Sequence, residues 1–196
     1  MSFLIKNGDV SIRKMEDDIR DYKLMAKWLT TAELLDYYEG RSNPFCLDKV
    51  IKKYAPRAKG EEAVIPCIIE HKEKPIGYVQ YYCVDPDEYN VGDNINIKNY
   101  IRPHGMDLFI GETDNWNKGV GTIVVKSLIS YLFENENADI ILIDPQTWNE
   151  RAIRCYEKSG FIPMLIIKNR EMHDGEYKDS LIMSISIDDW KIKNAL

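Results

Sequence analysis

The sequence predicts a mixed α/β fold in a single domain spanning residues 1–196. Three observations carry this prediction. Apolar residues recur at helical spacing after Asp17-Asp18, over 120–133 and over 149–159. Short apolar or alternating runs bounded by Gly, Pro, Asn and Asp mark strands between and after them. The order of these segments is not the regular βαβ alternation of a doubly wound sheet.

In chain order, residues 10–15 alternate and read as the first strand. Asp17 and Asp18 open an amphipathic helix that gathers Leu24, Met25, Trp28 and Leu29 on one face. Residues 30–54 are a second helical region, interrupted at 40–44 by Gly40 and Pro44. Residues 63–70 and 75–84 form an antiparallel hairpin around the polar turn 71–74. The polar, Asn-rich stretch 85–103 reads as a long surface loop. A strand at 106–110, a helix at 120–133 and a buried strand at 140–143 follow, the last closed by Asp144-Pro145. The helix 149–159 ends at Gly160, a residue suited to the left-handed position after a helix. Strands at 161–167 and 181–187 flank a turn at His173-Asp174-Gly175.

Composition excludes several classes. With 44% apolar and 30% charged residues the chain is an ordinary globular protein, large enough to need no staples. No apolar run approaches the roughly 18 residues of a membrane span, and residues 1–10 lack the pattern of a secretory signal, so a cytoplasmic protein is expected. The cysteines Cys46, Cys67, Cys83 and Cys155 are far apart and show no zinc spacing. They are expected to be buried, reduced thiols, and no metal is expected. A net charge of −6 disfavours nucleic acid and suits a cationic ligand.

The most informative stretch is Trp116-Asn117-Lys118-Gly119-Val120-Gly121-Thr122, between a strand and a helix. Glycines there let backbone N–H groups converge on an anion, and the helix N-terminus adds its positive dipole end. The spacing is not that of a Walker loop, and Val124 occupies the third glycine position of the dinucleotide fingerprint. One strand later, Asn149 stands at a helix start, with Ala152, Ile153 and Tyr156 on one face.

The turn Lys118-Gly119-Val120-Gly121-Thr122 and the segment 149–161 together resemble the GNAT superfamily of N-acetyltransferases. The resemblance implies a central, mostly antiparallel sheet flanked by helices, with splayed parallel strands holding acetyl-CoA as co-substrate. Here those strands are 106–110 and 140–143. It further implies that Lys118, Gly119, Val120, Gly121 and Thr122 cradle the pyrophosphate. The backbone of Phe109 and Ile110 then faces the thioester, Asn149 and Ala152 the pantetheine arm, and Tyr156 the sulfur. Trp116 departs from the Gln or Arg usual at its position. Amine attack on a thioester forms an oxyanion and then expels a thiolate. Backbone N–H groups near Phe109 and Ile110 suit the first charge, and the Tyr156 hydroxyl suits the second. The alternative for Tyr156 is a packed helix residue with a satisfied hydroxyl.

The run from His104-Gly105-Met106-Asp107-Leu108-Phe109-Ile110-Gly111-Glu112 into the glycine turn is more specific. It resembles the aminoglycoside 6′-N-acetyltransferases, as do Ile143-Asp144-Pro145, Arg151-Ala152-Ile153-Arg154-Cys155-Tyr156, Leu181-Ile182-Met183 and Tyr37-Tyr38-Glu39-Gly40. By that resemblance Asp107 holds the reacting amine and serves as its base, and Asp144 binds another ammonium. Glu39 and Asp179 are further acceptor contacts. Tyr37, Tyr38, Tyr81 and Tyr82 read either as walls for sugar rings or as core and sheet packing. Asp144 reads equally as an Asp-Pro strand terminator, His104 as a structural donor, and Cys155 as pointing away from Tyr156. The rival readings are a related acyltransferase for a polyamine, a siderophore precursor or a protein N-terminus, and a CoA-binding sensor without turnover. Edge strands near the C-terminus permit either a monomer or a homodimer.

Overall fold

The computed structural model describes residues 3–86 and 97–194. Its strands are β1 (Phe3–Asn7), β2 (Val10–Lys14), β3 (Val64–His71), β4 (Lys74–Cys83), β5 (Pro103–Ile110), β6 (Ile140–Ile143), β7 (Ile162–His173) and β8 (Glu176–Ser186). Its helices are α1 (Ile19–Trp28), α2 (Ala32–Leu35), α3 (Leu47–Ala58), α4 (Val120–Glu134), α5 (Glu150–Ser159) and α6 (Ile187–Asn194). The sheet order is β1-β2-β3-β4-β5-β6-β8-β7. The ladders β1–β2, β2–β3, β6–β8 and β7–β8 are antiparallel, and β5–β6 is parallel. Mixed α/β with a mostly antiparallel sheet is the architecture expected. The chain divides into two compact units, Met1–Tyr81 with Asp107–Val124, and Tyr82–Met106 with Val125–Leu196.

In the first unit, Asp18 caps α1 by accepting a hydrogen bond from the Arg20 N–H. The helix then buries Tyr22, Met25 and Trp28 against Tyr54, Ile68, Tyr78 and Phe109. The helical region 30–54 breaks where Glu39 and Gly40 take φ of 66° and 83°. The β3–β4 turn places Lys72 and Glu73 at φ of 52° and 63°, the paired left-handed geometry of a two-residue hairpin. A buried guanidinium fastens the start of the chain. Arg13 donates through both terminal nitrogens to Asp21 at 2.7 Å and through Nε to Glu70 at 2.9 Å.

Gly77 on β4 is required by a close backbone approach. A Cβ there would lie 2.3 Å from the Phe109 carbonyl oxygen and 2.9 Å from the Ile110 Cα. Backbone cannot swing aside as a side chain can. Gly77→Ala is therefore expected to cost about 1–3 kcal/mol of stability, read from urea unfolding. An unchanged midpoint would show that the two strands part at no cost.

In the second unit, α5 is bounded as its sequence predicts. The Asn149 Oδ1 accepts from the Ala152 N–H at 3.2 Å, and Gly160 closes the helix at φ 108°. Val84, Ile97, Ile140, Leu142 and Ile182 form a core with Tyr82, Tyr100, Leu165 and Ile167 packed on it. Asp174 and Gly175, at φ of 50° and 85°, turn β7 into β8. Both strands extend well beyond 161–167 and 181–187, because polar alternation in the hairpin arms hides their length.

Several expectations need correction. β1 precedes the anticipated first strand. β5 begins at Pro103, inside the stretch read as loop, which also holds a 3₁₀ turn, Ile97–Asn99. Residues 87–96 of that stretch lie outside the described residues. Residue 187 starts α6 rather than ending a strand. The signal was a serine N-cap: Ser186 Oγ accepts from the Asp189 N–H and donates to the Asp189 carboxylate. The cysteines are free but not all buried. Cys46 and Cys83 are exposed, whereas Cys67 is buried and its thiol pushed up to about 12 by that burial. No helix among the described residues is long and apolar enough to cross a membrane.

Candidate active site

The glycine turn enters α4 directly. Asn117 and Gly119 take φ of 58° and 80°, and a Cβ on Gly119 would meet nothing within 4 Å. Lys118 and Gly119 are exposed, Gly121 and Thr122 are half-buried in the first turn of the helix, and Val120 anchors it in the core. The first N–H groups of any helix lack intrahelical partners, so this open turn presents donors to an anion. Trp116 explains its own departure from the expected Gln or Arg. Its Nε1 donates to the Ile110 carbonyl at 2.7 Å, and its ring meets Tyr37 edge-on at 5.9 Å. The indole ties the turn to the end of β5.

β5 supplies the next groups. Its ladder with β6 sets Pro103, His104 and Gly105 opposite Ile140, Ile141 and Leu142, and β5 continues to Ile110. The Phe109 side chain is buried among Trp28, Tyr38 and Tyr78, with ring centroids at 6.0, 4.9 and 5.7 Å. Only its backbone is thus available to a ligand. Ile110 is half-buried.

Asp107 is half-buried and accepts from Gln80 Nε2 at 2.8 Å. Gln80 is itself buried, and its Oε1 accepts from Arg57 Nη1 and from the Tyr78 hydroxyl, each at 2.8 Å. Arg57 continues to Glu62 at 2.9 Å. Glu39 is half-buried and bound by Lys53 Nζ at 2.6 Å. Burial holds the Tyr38 and Tyr54 hydroxyls well above the ordinary phenol range, and Glu39 and Asp107 push both further up. The two carboxylates therefore bear on the same pair of phenols. The Tyr54 hydroxyl is buried and makes no hydrogen bond of ordinary length.

The second unit holds the other expected residues. Tyr156 is buried in α5 and meets Phe161 edge-on at 5.9 Å. Asn149 spends Oδ1 on the helix cap, which also occupies the Ala152 N–H and leaves Ala152 only its methyl group to offer. Asp144, at the end of β6, accepts from Arg170 Nε at 3.1 Å. Asp179 accepts from Lys168 Nζ at 2.6 Å and from the Asn169 N–H at 3.0 Å, which together hold its carboxyl below its usual range. Lys168, Asn169 and Arg170 lie where β7 shifts register, with Asn169 at φ 50°. His104 Nδ1 lies 3.0 Å from the Arg102 carbonyl, the structural contact anticipated. Tyr81 is core, Tyr37 is exposed, and Tyr38 and Tyr82 are half-buried.

Sequence reasoning missed Gln80, Arg57, Lys53 and Arg170. A buried Gln in an otherwise apolar and aromatic strand, Tyr78-Val79-Gln80-Tyr81, was the available signal for the first. The others are ordinary surface residue types whose partners are distant in sequence.

A family model for the acetyltransferase (GNAT) domain matches residues 17–168. The chain is 31% identical over 156 residues to aminoglycoside N(6′)-acetyltransferase type 1 of Klebsiella pneumoniae, covering 79% of this chain and 75% of that protein. The solved structure of aminoglycoside acetyltransferase AAC(6′)-Ib in complex with coenzyme A and kanamycin superposes with a TM-score of 0.76 at 26% identity, over 94% of this chain and 99% of that one. Spermidine N-acetyltransferase from Vibrio cholerae, in complex with CoA and spermine, shares the fold with a TM-score of 0.74 at 18% identity, over 94% and 99% of the two chains.

Proposed function

The chain belongs to the GNAT acetyltransferase family, and on that premise we propose that it transfers the acetyl group of acetyl-CoA to the 6′-amino group of aminoglycoside antibiotics. The observation that carries this reading is the half-buried Asp107 carboxylate on β5, held by Gln80 at 2.8 Å, with the half-buried Glu39 and Tyr38 in the same unit. The carboxylates offer charge to ammonium groups, and Tyr38 offers a partly polar face to a sugar ring. The net charge of −6 acts in the same direction. The work is that of one acetyltransferase domain, in the cytoplasm, with neither nucleic acid nor membrane as partner.

Lys118, Gly119, Val120, Gly121 and Thr122 hold the pyrophosphate of acetyl-CoA, which fits the open, left-handed turn at Gly119. Asn149 and Ala152 line the pantetheine arm. Amide hydrogens of Phe109 and Ile110 receive the oxyanion, supported by the continuation of β5 beyond its ladder with β6. A primary ammonium like that of lysine, with a pKa of about 10.4, is almost wholly protonated at neutral pH. A carboxylate beside it strengthens binding but raises that pKa further. Asp107 therefore binds the ammonium first and takes its proton as attack proceeds, while Glu39, Asp144 and Asp179 receive the acceptor's other cations. At Glu39, Asp144 and Asp179 those cations displace Lys53, Arg170 and Lys168, so these contacts shape specificity more than affinity.

Tyr156 protonates the departing thiolate. A thiol with a pKa of about 8.5 leaves readily, so this proton is worth the low end of general acid catalysis. Tyr156→Phe is expected to lower kcat roughly 100-fold with KM for acetyl-CoA unchanged. An unaltered kcat would reduce Tyr156 to a packed helix residue.

Thiol release from acetyl-CoA, measured with kanamycin, spermidine and a peptide N-terminus as rival acceptors, tests the assignment. A kcat/KM highest for kanamycin supports it. Preference for spermidine or the peptide would move the chain to another amine, and tight acetyl-CoA binding without turnover would make it a sensor.

A further inference from the structure

We propose that Gln80 is a positioning residue for the transfer reaction, locked by Arg57 and Tyr78 so that its amide can only donate to Asp107. The inference rests on the role given to Asp107 above. The chain Glu62–Arg57–Gln80–Asp107 is continuous, with links of 2.9, 2.8 and 2.8 Å, and the Tyr78 hydroxyl joins it at Gln80 Oε1 at 2.8 Å.

The direction of this chain follows from chemistry. A guanidinium has donors only, and an ionised carboxylate has acceptors only. An amide between them has one satisfactory orientation: Oε1 toward Arg57 and Nε2 toward Asp107. Gln80 is buried, so the reversed amide would face both neighbours with mismatched groups and no water to compensate. Tyr78 is fully buried and fills the second lone pair of the same oxygen. The Asp107 carboxylate is thus held at one oxygen by a donor whose orientation is fixed. A donor on the carboxylate favours its charged form, the form that binds an ammonium.

The test uses two variants of the full chain. Gln80→Glu keeps an oxygen for Arg57 and Tyr78, so the buried donors stay satisfied and the fold is retained. It sets a second carboxylate oxygen against Asp107, and two carboxylates sharing a site push one titration upward. The acidic limb of the kcat/KM profile should therefore move to higher pH, and kcat at neutral pH should fall roughly 10- to 100-fold, as for a misplaced catalytic group. Gln80→Asn keeps the amide but shortens its reach, and should lower kcat with no displacement of the pH limb. KM for acetyl-CoA stays unchanged in both. A wild-type kcat and pH profile in a folded Gln80→Glu variant would overturn the inference. Asp107→Asn separates the two levels: loss of activity there with a normal Gln80→Glu removes only the positioning role, whereas near-normal turnover in Asp107→Asn removes the reading on which it rests.

Discussion

Asp107→Asn is expected to lower kcat/KM for an aminoglycoside by about 10²–10⁴-fold, the range of a lost general base. The substitution is nearly isosteric, and Gln80 can still donate to the new side-chain oxygen, so the site should keep its shape. What vanishes is the negative charge and the ability to take a proton. Steady-state kinetics separate the two losses. If anchoring is the larger role, KM for the acceptor rises most. If proton transfer is the larger role, kcat falls most. KM for acetyl-CoA is expected to stay constant in either case, because the Gly119 turn proposed for its pyrophosphate does not involve this carboxylate. Turnover near the normal rate would contradict both roles.

Arg13→Met carries the largest expected cost to stability, about 3–5 kcal/mol. The guanidinium is 3% exposed and donates to Asp21 and Glu70, of which Asp21 also accepts from the Glu16 N–H. The hydrogen bond with Asp21 is the chief reason that Arg13 holds its proton even more tightly than an ordinary arginine. Methionine fills much of the space but leaves two buried carboxylates with no countercharge. Against a typical stability of about 5–15 kcal/mol, that is a large share. The midpoint of urea unfolding should drop with little change in slope. Adding Asp21→Asn and Glu70→Gln should recover part of the loss, since the unpaired charges are then gone. A midpoint unmoved by Arg13→Met would show the network to be energetically silent.

Much of this was legible in the sequence where a local rule and a tertiary need coincide. Asn149 and Gly160 bracket α5 because capping and left-handed closure are properties of those residue types. The glycine turn before α4 was visible for the same reason. Legibility failed where residue type and conformation diverge. The β3–β4 turn was legible from its polarity although Lys72 and Glu73 take left-handed φ without Asn or Gly, but Asn169 bends β7 inside an otherwise regular alternation. The length of the β7–β8 hairpin was hidden by an exposed arm. At the candidate site, Asp107 was singled out through its neighbours on one strand. Its partner Gln80 lies on another strand, 27 positions away in sequence, and nothing local marks the pair. The cations on Asp144 and Asp179 escaped notice likewise, since Lys168 and Arg170 read as any solvent-facing charges, and Lys168 indeed stays exposed while Arg170 is half-buried.

The most direct test of the central claim is thiol release from acetyl-CoA with two matched aminoglycosides, one bearing a 6′-amine and the other a 6′-hydroxyl. Rapid turnover is expected with the amine and none above background with the hydroxyl. Equal rates with both would place the acetyl group on another nitrogen and contradict the assignment of Asp107 to the 6′-amine.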